Sequence, residues 1–337
     1  MNAFKRSLTL LTAMLMLGGC ASKTASEDEA GVTVSGLTGT ETAVPEMPAS
    51  EAESSGSQGE SAGLYDVSPI VQAYLSGDNS GLDKEQGEIL AAASRLIDET
   101  VNDKMSFVEK ELALHDRLTA DTAYDDNSLS VIGIHLPGSD TPYGVLIDHT
   151  GICTGYTVTF AMLMQMLGAE AVTVYSVNSS GDEHAWDLVK IEGEWYAVDL
   201  TWDDIHSDNG SLYAQHKFFN CTDEVLADTG HIWDTDSYPA ASGTKYSYAE
   251  LYPDEVSSME DIEDAVKRSA EKGFGEVYLL PGKGFGALGA KAEDKKYEQM
   301  KKLLKEMGYD LHSHYEYETT RGTVLYVQFR TSDGRKK

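Results

Sequence analysis

Three residues of this chain have the types and spacing for acyl transfer: Cys153 in GICTGYTVTFAMLMQMLG, His184 in HAWDLVKI and Asp199 in WYAVDLTWDD. A thiol attacks as its thiolate, and a helix N-terminus, a nearby imidazolium and partial exposure at a loop end each lower its pKa from about 8.5. An imidazole can take the thiol proton and return it to a leaving amine. A carboxylate can hold that imidazole in the required tautomer and stabilise its charged form. Gly151 and Gly155 bracket Cys153, which leaves room there for a substrate carbonyl.

The elements that must position these residues are readable from periodicity. Cys153 begins a helix running to about residue 167 that carries no charge, so it is expected to be buried on most of its circumference, with Gly168 as its stop. Strands follow over 171–177, 184–191 and 195–200, with Glu192 and Gly193 as a two-residue hairpin turn. With that turn, residue i pairs with residue 385 − i, so Asp199 lies opposite Trp186 and His184 opposite Thr201. His184 and Asp199 are then diagonal neighbours on one face, with Cβ atoms about 7 Å apart. A slip of one residue would put them on opposite faces. Upstream, helical stripes occupy 65–75, 83–101 and 106–118, and residues 121–150, rich in Asp, Gly and Pro, read as loop.

The 337 residues allow one large domain or two modest ones, and the 41% hydrophobic content is enough for real cores. The formal charge of −30 is uneven: net −26 over residues 64–256 but +1 over 257–337. A surface this anionic repels phosphate backbones and excludes nucleic acid as a partner. It suits cationic or neutral substrates, or simply keeps an exported protein soluble. Residues 1–20 have two basic residues, an apolar run and small residues, the pattern of a secretory signal peptide. Its end, Leu17-Gly18-Gly19-Cys20, resembles a bacterial lipoprotein lipobox. That resemblance implies lipid attachment at Cys20 and a location on the outer face of the bacterial cytoplasmic membrane. Residues 21–63 have hardly any large apolar side chains and read as a disordered acidic tether reaching about 35 to 40 Å.

The order GICTGY with its apolar helix, then HAWDLVKIEGEWYAVDLTWDD, resembles the transglutaminase-like superfamily of papain-like cysteine enzymes, in its bacterial exported branch, over roughly residues 105–235. Cys in G-x-C-x-G-Y, His in H-A-W and Asp in D-x-T-W all match. The resemblance implies an α+β fold, helices packed on an antiparallel sheet, and assigns Cys153 as nucleophile, His184 as general base and acid, and Asp199 as orienting carboxylate. It also implies an oxyanion donor at the Cys153 backbone N–H. Tyr143 in PYGVL is the candidate second donor, and Trp186 and Trp202 are read either as cleft walls or as ordinary core packing.

Of the remaining cysteines, Cys221 in FFNCTDE reads as a small buried side chain, and both it and Cys153 are expected as free thiols. His206, His216 and His231 are spaced unlike compact zinc motifs, and Asp203, Asp204, Asp208 and Asn209 lack the EF-hand pattern, so no metal and no cofactor is expected. From 257 the order helix, strand, helix, strand, strand suggests a small α/β sandwich of unknown role. Its Gly284, Gly286 and Gly289 imitate a dinucleotide fingerprint but read better as a flexible surface loop. The expected organisation is therefore signal peptide 1–20, tether 21–63, catalytic domain 64–250 and C-terminal domain 257–337. The expected function is a cell-surface cysteine enzyme acting on protein or peptide amides through a thioester, with hydrolysis favoured because no amine site is readable. The alternative is a catalytically silent surface binding module.

Overall fold

The computed structural model describes residues 63–129, 135–177, 183–206, 212–289 and 295–332; Cys20, the expected signal peptide and nearly all of the expected tether lie outside them. The first helices begin where the sequence supplies caps. Helix α1 (Ser68–Ser76) carries proline in its first turn and stops at Gly77, whose φ of 73° needs a residue without Cβ. Helices α2 (Lys84–Thr100) and α3 (Phe107–Asp121) each open with a reciprocal capping box, Asp83 with Gln86 and Ser106 with Glu109. Their buried faces, through Ile70, Ile89, Ala93, Leu114 and Leu118, share one core with α4 (Cys153–Met166).

Twelve of the 14 residues of α4 are buried, which makes it the axis of this half of the molecule. Its N-cap, Ile152, has no side-chain acceptor to offer, so the first-turn amides of α4 are left for other partners. On α4 packs an antiparallel meander of β3 (Glu170–Val177), β4 (Glu183–Ile191) and β5 (Glu194–Val198). The β4–β5 ladder runs from Ile191↔Glu194 to Asp187↔Val198, the register expected from the sequence. Glu192 and Gly193 both take positive φ, 51° and 92°, as a type I′ turn demands. Strand β5 ends sooner than periodicity suggests. Asp199 leaves the ladder, accepts the Trp202 N–H and so caps a one-turn helix, α5 (Leu200–Asp203).

Within the stretch 121–150, expected as loop, described residues are pinned by pairing and side-chain bonds that carry no periodic pattern. Strand β1 (Ala123–Tyr124) pairs in parallel with β2 (Thr150–Gly151), and a π-helical turn spans Gly144–Asp148. After α5 come the short pair β6 (Asp204–His206) and β7 (Leu212–Ala214), then α6 (Asp223–Thr229) and α7 (Tyr248–Leu251). The glycines flanking the nucleophile serve packing rather than substrate space. A Cβ on Gly155 would stand 2.2 Å from the Ser139 carbonyl oxygen, and one on Gly151 2.8 Å from Val145 Cγ2.

The C-terminal sheet has order β10-β11-β9-β8, built from β8 (Asp254–Val256), β9 (Glu276–Pro281), β10 (Tyr309–Thr319) and β11 (Gly322–Thr331). Helices α8 (Met259–Glu271) and α9 (Lys295–Glu306) cover one face through Ile262, Val266, Met300 and Leu304. The loop after β9, expected to be a mobile surface feature, is anchored in that core by Phe285 and Leu288. The other face carries Tyr278, Leu280, Val324 and Tyr326 and packs with Tyr248 and Ala249 of α7. It is tied to the preceding chain by bonds from Tyr326 Oη and Gln328 Nε2 to Gln215 Oε1, 2.7 and 2.9 Å. Buried on both faces, β11 reads as a continuous apolar run rather than an alternating one. All described residues fall within one compact unit of mixed helices and sheets, an α+β fold.

Candidate active site

Cys153 occupies the first position of α4, His184 the second of β4, and Asp199 the cap of α5, so helix, sheet and turn each contribute one group. A backbone N–H at the first helical position has no intrahelical acceptor, which leaves the Cys153 amide able to donate outward. Asp199 is fully buried and accepts three hydrogen bonds: Trp202 N–H on Oδ1 at 3.0 Å, and His184 Nε2 and His231 Nε2 on Oδ2 at 2.6 and 2.9 Å. Burial alone would raise the carboxyl's pKa. The two imidazoles overcome that and hold it well below the usual carboxylate range.

With Nε2 committed to Asp199, the other ring nitrogen of His184 is left for the Cys153 thiol, which lies close enough to add to the imidazole's upward shift. Burial on its own would lower the imidazole's pKa, but the Asp199 carboxylate outweighs it and lifts the value to about 10, with the Cys153 contact adding to the shift. The side chain of His184 is 20% exposed and Cys153 is 8% exposed, so both keep a small contact with solvent. Tyr175 of β3 borders them. Burial, then Glu183, then Cys153 raise its hydroxyl to about 12, which keeps it a neutral donor.

Aromatic rings hold the imidazole in place. Trp202 stands 5.2 Å from the His184 ring and is half-buried, which leaves part of its surface in solvent. Trp186, 5.8 Å from His184, is only 1% exposed and backs the ring from inside a core that includes Trp233. Tyr143 precedes the π-helical turn, and its ring packs against the core around α4. Cys221 is buried and unpaired, with its thiol pushed well up by burial, and Cys153 is likewise a free thiol. Asp203 and Asp204, weighed as calcium ligands, are instead acceptors for the Phe218 N–H and the Tyr156 hydroxyl; Asp208 and Asn209 lie outside the described residues.

His231 joins this site unannounced by the sequence. It lies 32 residues after Asp199, directly after Gly230, the left-handed cap of α6. No motif spacing marks it. The only pointer is that a helix end returns a histidine to the region of the hairpin. His184, Asp199 and His231 present three ligand-type atoms within 4.8 Å of one another, and so do His115, Asp116 and His216.

The chain resembles known proteins over part of its length. Residues 94–200 match the profile described as Transglutaminase-like superfamily. No curated protein matches the chain. A solved structure described as "Crystal structure of a TGase" aligns with 23% identity and a TM-score of 0.32, over 41% of this chain and 38% of that one. The present chain thus spans about two-fifths of that protein's length. Residues 94–200, which contain Cys153, His184 and Asp199, form a transglutaminase-like core.

Proposed function

We propose that this protein is a cysteine acyl-transfer enzyme acting on protein or peptide amides outside the cell, held to the membrane by a lipid at Cys20. The observation that carries the reading is the juxtaposition itself: Cys153 beside His184, and His184 Nε2 2.6 Å from a buried Asp199.

In this mechanism His184 takes the thiol proton and the sulfur attacks the amide carbonyl carbon, forming a C–S bond. The Cys153 N–H stabilises the resulting oxyanion. The imidazolium, held by Asp199, then protonates the leaving nitrogen as the C–N bond breaks, giving a thioester and a free amine. Water or a second amine, deprotonated by His184, attacks the thioester and releases a carboxylic acid or a new amide and the thiol. We favour water, since no residue pattern in the sequence marks a dedicated amine site.

The test is to incubate the full-length protein with a peptide mixture, with and without an added primary amine, and read mass shifts. Cleavage, deamidation or amine incorporation that disappears in Cys153→Ala supports the proposal. The low exposure of Cys153 favours one competing reading, a silent binding module. In that case iodoacetamide would label Cys153 slowly, and equally slowly in His184→Ala.

A further inference from the structure

A second histidine and carboxylate cluster lies at the seam between α3, the segment after β7 and the first residue of β9. His115 and His216 are fully buried, at 0% and 1% exposure. Each has both ring nitrogens on carboxylates. His115 Nδ1 is 3.1 Å from Asp116 Oδ1 and its Nε2 3.2 Å from Asp203 Oδ2. His216 Nε2 is 2.8 Å from the same Asp116 oxygen and its Nδ1 2.5 Å from Glu276 Oε1. A neutral imidazole carries one N–H, so each ring has one nitrogen that would meet an oxygen with lone pair against lone pair. Something positive must lie there, either an extra proton on each ring or a shared cation.

The arrangement has the layered form of a metal centre. The inner atoms, His115 Nδ1, Asp116 Oδ1 and His216 Nε2, converge within 4.8 Å. The outer nitrogens are held by Asp203 and Glu276, the carboxylate backing that orients metal-bound imidazoles. Those carboxylates are themselves fixed, Asp203 by the Phe218 N–H at 3.0 Å and Glu276 by the His216 N–H at 3.1 Å. The rings cannot turn away: Tyr248 stacks on His216 at 4.1 Å, and Phe219 meets His115 edge-on at 5.4 Å. The Asp116 side chain is 35% exposed, which leaves one side open for a water ligand. A divalent ion in place of the two extra protons leaves the charge of the cluster unchanged. We propose that His115, Asp116 and His216 bind a zinc ion, which clasps α3 to the C-terminal sheet beneath the turn that carries Asp199. Two nitrogens, one oxygen and an open fourth position suit zinc in tetrahedral geometry.

This site is independent of the acyl-transfer reading, and its test does not use activity. Full-length protein carrying Cys153→Ala, to remove the competing thiol, would be stripped with chelator, dialysed against zinc, and its metal counted by atomic emission. Affinity would be read by competition with a chromophoric chelator. One zinc per chain is expected, with a higher melting temperature than the stripped form. Asp116→Asn, nearly isosteric and reaching the surface, should weaken zinc by more than about 100-fold, and Glu276→Gln by about 10- to 100-fold. Adding His231→Ala, which breaks the other His-Asp-His group, should leave one zinc bound. The proposal is overturned if the folded parent retains no zinc, if Asp116→Asn and Glu276→Gln bind it as tightly as the parent, or if His231→Ala abolishes binding.

Discussion

Asp199→Asn tests the active-site electrostatics most directly. The substitution keeps side-chain size, and the Trp202 N–H, 3.0 Å from Oδ1, holds the amide oxygen of the variant in the same place. The amide nitrogen, a donor, then faces Nε2 of both His184 and His231, where the carboxylate had accepted bonds of 2.6 and 2.9 Å. Each imidazole can meet it only by offering a lone pair at Nε2. For His184 this moves the hydrogen to the nitrogen that faces Cys153, which can then no longer take the thiol proton. The carboxylate's effect on His184, from 6.5 to about 10, corresponds to at most about 5 kcal/mol at 1.36 kcal/mol per unit. Discounting for the 20% of the side chain that water reaches leaves about 4 kcal/mol, or a rate loss of roughly 10³-fold. The assay is iodoacetamide labelling of Cys153 at neutral pH, read by peptide mass spectrometry. Cys221, 2% exposed, serves as the inert internal reference. Labelling in Asp199→Asn within about tenfold of the parent, in a protein that circular dichroism shows to be folded, would refute the reasoning.

Three further outcomes are expected. The folded pKa of His184, about 10, lies above its ordinary 6.5, so its contribution to stability is complete below about pH 6.5 and is lost as pH rises through about 10. The gap in melting temperature between the parent and His184→Gln should therefore be widest near pH 6 and narrow toward about pH 10; a gap that widens with pH would contradict this. Gly155→Ala would drive a methyl to 2.2 Å from the Ser139 carbonyl oxygen, so it should cost about 1 to 3 kcal/mol in urea unfolding and slow Cys153 labelling by displacing the start of α4. Unchanged unfolding would show that the 139 segment yields freely. Tyr326→Phe removes a buried 2.7 Å bond to Gln215 and should destabilise the protein by about 1 to 3 kcal/mol in the same assay, leaving labelling unaltered; no loss would mean that water replaces the bond.

Much of the active site could be read from the chain because its parts are local. The β4–β5 register follows from a two-residue turn whose second residue is glycine, but the ladder stops at Asp187↔Val198, so the expected pairs of Asp199 with Trp186 and His184 with Thr201 are not made and Asp199 meets His184 from just beyond it. The helix after Cys153 stands out because its run of uncharged residues has no place on a surface. The helical stripes read from Asp83 and Ser106 coincide with the capped starts of α2 and α3 for the same local reason. The departures come where side chains override periodicity. Asp199 ends β5 by capping α5, and the pairing of β1 with β2 orders a stretch whose Asp, Gly and Pro content reads as loop. Gly151 and Gly155, read as space for substrate, answer instead to the close approach of Val145 and Ser139.

What could not be read is assembled from distant segments. His231 reaches Asp199 across 32 residues, and Glu276 reaches His216 across 60. In sequence each is a lone polar residue with no partner at a recognisable spacing. The chain by itself pointed to Cys153, His184 and Asp199 as candidate nucleophile, base and carboxylate, since a helix start and one hairpin bring them into one region. Tertiary packing alone decided how strongly His184 and Asp199 are charged. Burial makes a bare carboxylate costly, and only the convergence of His184, His231 and the Trp202 amide on Asp199 turns that cost into a fixed, ionised centre.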